Sequence, residues 1–131
     1  MRRHRSLRYV GPACMVVIVV ASLVPGTMRP RIGVPKVWEH FSAYALCAST
    51  LAFGFPGLRK ALIIAALLIT GSGLLEIAQG WAIARTPTVG DFEFSSLGAL
   101  AGLSVGFCAH RLFGGTALPR PTRPLGKQPD R

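Results

Sequence analysis

"LLITGSGLLEIAQGWAIA", residues 67–84, is a long apolar run interrupted by a single acid, Glu76. In lipid, a run of this kind can satisfy its backbone hydrogen bonds only as a helix. An ionisable group inside such a helix is expensive, which makes Glu76 a functional-site candidate that needs a partner elsewhere in the chain.

The same pattern extends outward from this stretch. The chain has 131 residues, 50% of them hydrophobic, and a mean hydropathy of +0.45. Charges gather at the ends and in short connectors, leaving apolar tracts at 10–25, 37–55, 61–83 and 92–113. A membrane span takes about 20 residues, with a range of about 17–25, so the last three tracts fit and the first is short. The expectation is an all-α membrane protein. A bundle of four transmembrane helices would occupy residues 10–113, between a basic N-terminus (1–9) and a tail (114–131). The tail is basic, rich in Pro and Gly and poor in apolar residues, a composition that predicts disorder. "MRRHRSLR" ahead of the first tract also resembles a secretory signal peptide, but the small-x-small cleavage pattern is missing, which favours a retained helix.

A net charge of +10 suggests nucleic acid until the positions of the charges are considered. Arg2, Arg3, Arg5 and Arg8 precede the first tract, Arg59 and Lys60 lie between the second and third, and Arg111, Arg120, Arg123, Lys127 and Arg131 follow the fourth. The intervening loops hold only Arg29, Arg31, Lys36 and Arg85. The positive-inside rule then places both termini in the cytoplasm, giving a multi-pass protein of the cell inner membrane. The bilayer is the expected partner, anionic lipid included, and nucleic acid is not. Cys14, Cys47 and Cys108 all fall inside predicted spans, so neither a disulfide framework nor a metal-binding spacing is expected.

This topology gathers the polar residues. Ser72, Glu76, Gln79 and Gly80 share one face of the third helix, with Glu76 near its outer end. His40 and Tyr44, four apart, share a face at the outer start of the second helix. Thr88 and Asp91 have the form of a capping box. Asp91, Ser95, Gly98, Gly102 and Gly106 then line one face of the fourth helix, where the glycines would let a neighbouring backbone approach closely. His40, Glu76, Gln79, Asp91 and the loop residue Arg85 all fall near one outer level. Arg85 as counter-charge or His40 as donor are the candidate partners of Glu76, and a purely structural clamp remains open.

In this order, "SLVPG", "WEHFSAYALCASTLAFGFP", "GLLEIAQ", Arg85 and "GDFEFSSLGALAG" resemble the VanZ-like family of small bacterial membrane proteins. The resemblance runs from about Ser22 to Gly106 and implies a short bundle of transmembrane helices. Its polar pattern falls on His40, Tyr44, Glu76, Gln79, Arg85, Asp91 and Gly98. Two positions depart from it: Pro35 and Lys36 stand where many members have Asp-Lys, and Phe94-Ser95 replaces Ala-Asn. The family is named for a protein associated with resistance to the glycopeptide teicoplanin, so the resemblance implies a cell-envelope context more than a reaction.

Three functions follow as expectations. The first is a binding or accessory protein whose outward pocket (His40, Tyr44, Glu76, Gln79, Arg85, Asp91) holds an envelope precursor or glycopeptide, or seats a membrane partner or second copy. The second is a membrane enzyme using Glu76, His40 and Asp91 for acid/base work on a lipid-linked substrate. The third is a transporter-like subunit. No nucleophile motif, phosphate loop or His-rich metal set is present. One histidine with two carboxylates is a weak metal signal, so no metal or other cofactor is expected.

Overall fold

The structure, a computed structural model, describes residues 3–28, 33–81 and 88–113. They form four helices and no strand: α1 (Arg3–Leu23), α2 (Lys36–Gly54), α3 (Leu58–Gln79) and α4 (Val89–Phe113), with one 3-10 turn at Gly26–Met28. The basic tail expected to be disordered, 114–131, lies outside the described residues.

Local chemistry sets the breaks. "FGFPG" ends α2, where the Phe55 N–H still donates to the Leu51 carbonyl at 2.8 Å. Pro56 cannot continue the ladder, and Gly57, at φ +118°, adopts a backbone angle that favours glycine and turns the chain into α3. At the start of α4, the Asp91 N–H donates to the Thr88 hydroxyl at 3.2 Å, the N-cap bond anticipated from Thr88 and Asp91. α1 begins well ahead of its apolar tract and carries Pro12 within it. An apolar tract does not mark where a helix's hydrogen bonds start.

α2 and α4 pack most extensively, and their contacts run parallel. Gly98 lies against Phe41, Gly102 against Ala45 and Gly106 against Ser49, each glycine meeting a backbone carbonyl of α2. A Cβ at Gly102 would come within 2.8 Å of the Ala45 Cα, and one at Gly106 within 2.8 Å of the Ala52 Cβ. At the far end His110 Nδ1 is 3.2 Å from the Phe53 carbonyl, with the two rings edge to face. α1 rests antiparallel on α2, with Gly11 against Leu51 and the Cys47 thiol directed at the Gly11 carbonyl at 3.8 Å. The core is Tyr44, Cys47, Ala48, Leu51 and Ala52 of α2 with Ile64 and Leu68 of α3 and Ala99 and Leu103 of α4. Since α2 and α4 run parallel and α3 returns between them, the starts of α2 and α4 and the end of α3 share one end of the bundle.

Two helices, α3 and α4, are long and apolar enough to cross a membrane. The apolar part of α1 is shorter, Tyr9–Leu23, in line with the short first tract. The second tract, expected to fit, is not among these helices, because Glu39 and His40 in its first turns lower its hydropathy.

Gly102→Leu should destabilise the bundle by more than the roughly 1–3 kcal/mol typical of overpacking, because what it meets is rigid backbone. Val105→Leu, on the exposed face, should be neutral. Thermal unfolding of the detergent-solubilised variants measures both. Unchanged melting of Gly102→Leu would mean that α4 does not seat on α2 there.

Candidate functional site

At the end shared by the starts of α2 and α4 and the close of α3, polar side chains replace the apolar core. α2 brings Lys36 and His40, which are four apart and therefore on one face. α4 brings Asp91 from its first turn and Ser95 one turn later, continuing the face that becomes the glycine seam. α3 brings Glu76 and Gln79. His40, Gln79, Asp91 and Ser95 are all buried, Asp91 and Gln79 to within 1% of full burial. Glu76 is half-buried.

Two cross-helix contacts hold α2 to α4 here. The Lys36 ammonium donates to Asp91 Oδ2 at 2.5 Å, with Asp91 fully enclosed and Lys36 a third exposed. One turn further along, His40 Nδ1 lies 3.2 Å from the Ser95 hydroxyl. Three liganding atoms, one each from His40, Glu76 and Asp91, lie within 4.8 Å of one another although they come from three helices. Gln79 adds an amide oxygen that is buried and has no hydrogen-bond partner among the described residues. Beside the cluster an apolar groove between α1, α2 and α3 runs past Tyr44, Leu68, Gly71 and Leu75.

The structure thus brings together His40, Tyr44, Glu76, Gln79 and Asp91. Gly98, Gly102 and Gly106 form the seam beneath them, and Ser72 is buried on the same face of α3 as Gln79. Gly80 is exposed, because α3 has ended before it. Arg85, a candidate partner of Glu76, lies outside the described residues. Two residues take roles the sequence did not assign them. Lys36, a loop charge by sequence, opens α2 and pairs with Asp91; its place four residues before His40 is the available signal. Ser95, which stands where the resemblance has asparagine, supplies the hydroxyl that meets His40.

The arrangement has donors, acceptors and charge of both signs in a space closed to water on most sides. It can bind a polar group, exchange a proton between His40 and a carboxylate, or hold a cation. No protein-family model, curated protein or solved structure matches the chain.

With chelator present, Lys36→Met should destabilise the fold more than Asp91→Asn. The first leaves a buried carboxylate without its ammonium, and breaking a fully buried pair costs about 3–5 kcal/mol, an upper bound here because Lys36 is partly exposed. The second leaves a lysine that can turn toward water. Urea or thermal unfolding of the two variants gives the order, and the reverse order would mean that Asp91 is not enclosed.

Proposed function

We propose that this chain is a VanZ-like integral membrane protein of the bacterial cell envelope. In this reading all four helices cross the inner membrane, both termini are cytoplasmic, and the polar cluster sits at the outer end. There it acts as a binding or accessory site for an envelope lipid headgroup or lipid-linked precursor. A contribution to glycopeptide resistance falls within this reading.

The observation that carries it is the exposure of apolar surface. The most apolar 18-residue stretch of α3 has a mean hydropathy of 2.1, yet only 17% of it is buried within the fold. Leu62, Ile63, Leu67, Leu74 and Ile77 face outward, as do Val16, Val17 and Val20 of α1. A core helix of a soluble protein would bury such a face. In water a surface of this extent drives association, whereas in a bilayer it meets its own solvent. α2 then crosses as the central helix, with Lys36 and His40 turned toward α4. The basic residues ahead of the apolar part of α1, after α2 and after α4 favour a cytoplasmic location for that end. The apolar groove beside Tyr44 supports an amphiphilic ligand, with its polar part at His40, Glu76 and Asp91 and its chain along α3.

Acid/base catalysis on a lipid-linked substrate is the second reading, favoured by the closeness of one imidazole to two carboxylates. Glu76 or Asp91 would exchange protons with His40 there.

Topology is tested by impermeant maleimide labelling in a Cys14→Ala, Cys108→Ala background, with Cys47 silent because it is fully buried. Val34→Cys and Val89→Cys should label in intact cells and Leu58→Cys only after lysis; the opposite pattern would turn the cluster to the cytoplasm. Native mass spectrometry tests binding. Envelope lipids should co-purify with the parent and fall away in Glu76→Gln, and equal retention in both would remove the cluster from ligand binding.

A further inference from the structure

The geometry points to a divalent-cation site formed by His40, Glu76 and Asp91, with Lys36 occupying the cation's electrostatic place in its absence. The site deepens the binding reading above and rests on it in one respect: the cluster serves to bind and not merely to brace the helices.

Four observations converge on it. The first is proximity, since the three liganding atoms lie within 4.8 Å of one another. Around an ion bound at about 2.0–2.2 Å, tetrahedral ligands lie about 3.4 Å apart, so side-chain rotations of about an ångström complete the shell. The second is orientation. A metal-binding histidine normally donates its other ring N–H to an oxygen, which fixes the tautomer. The Ser95 hydroxyl stands 3.2 Å from His40 Nδ1 and suits that role, with Nε2 as the ligand nitrogen.

The third observation is Gln79. One turn beyond Glu76 on the same face of α3, its amide oxygen is buried with no hydrogen-bond partner among the described residues. Such an oxygen suits a cation directly or through a bound water. The fourth is charge. The site brings two carboxylates together, with the Lys36 ammonium against one of them, Asp91. A divalent ion offsets both, and neutrality is what a poorly solvated site favours. Lys36 is a third exposed, so its ammonium can withdraw toward water or headgroups when the ion enters.

One imidazole with oxygen ligands and no thiolate suits Mn2+ or Zn2+ over softer ions. Three or four protein ligands leave a position for water or a phosphate oxygen, the group an envelope lipid headgroup would offer.

The test uses the full chain in detergent, tag removed and stripped with EDTA, titrated with Zn2+ and with Mn2+ by calorimetry and metal analysis after desalting. The expected result is one equivalent bound by the parent. Glu76→Gln and His40→Gln should each weaken binding by more than about 100-fold, and Ser95→Ala by about 10–100-fold, the range for a residue that orients a ligand. Lys36→Met should bind more tightly than the parent and regain in metal the stability it loses in chelator. That gain keeps the test decisive even where a ligand variant fails to fold. Absence of binding, binding unchanged by Glu76→Gln (as attachment to His4 or His110 would give), or weaker binding in Lys36→Met would each overturn the site. Lipid retention is read separately. Loss of metal binding with Glu76-dependent lipid retention intact removes the cation alone, and metal binding with retention indifferent to Glu76 removes the lipid reading alone.

Discussion

The close approach of α4 to the backbone of α2 is the constraint on which everything else depends. Three glycines at successive turns, Gly98, Gly102 and Gly106, meet three carbonyls at successive turns, those of Phe41, Ala45 and Ser49. Small residues at such an interface give two helices van der Waals contact along their length, which drives association where lipid removes the hydrophobic difference between neighbours. Because the glycines cannot be displaced along α4 without bringing a Leu or Phe onto a carbonyl, the seam fixes the register as well as the distance. Both ends of the bundle follow the same register: Lys36 meets Asp91 and His40 meets Ser95 at a separation of 55 residues, and Phe53 meets His110 at 57.

That register explains why the polar cluster is so compact. α2 and α4 run parallel, so their opening turns arrive together, and α3, returning between them, delivers Glu76 and Gln79 to the same level. Asp91 is held in several ways at once. Its backbone N–H is capped by Thr88, its carboxylate lies in the first turn of α4, where the helix dipole favours negative charge, and Lys36 is beside it.

Much of this was legible in the sequence, for identifiable reasons. The length of the apolar tracts pointed to the helices, and helical spacing pointed to their inward faces: Ser72 and Gln79 on α3, Asp91, Ser95 and the glycines on α4. The Thr88–Asp91 pair was readable because a capping box is local in sequence. What stayed hidden was long-range or atypical. Lys36 looked like a connector charge because its partner is 55 residues away, and nothing in local spacing reports a parallel register. Gly11 passed unnoticed because its reason for being glycine, the Leu51 side chain, lies on another helix. The second tract is apolar apart from Glu39 and His40 in its first turns, and those two residues keep its hydropathy below that of α3 and α4.

Whether such a cluster braces or binds turns on what the fold would lose without it. The glycine seam already fixes α2 against α4, so Lys36–Asp91 and His40–Ser95 are not needed to set the register. Buried ion pairs add little to stability when apolar residues of similar volume could stand in their place. A second set of cross-helix contacts, polar and costly to desolvate, is thus redundant as a fastener. It also sets the enclosed Asp91 carboxylate against a lysine that keeps a route to the outside. An arrangement selected for bracing would enclose both partners of the pair and leave no amide oxygen buried without a donor. Here the acid is enclosed, the ammonium is at the rim, and Gln79 holds its oxygen in reserve. That asymmetry is what a site requires when its resident positive charge has to give way to another.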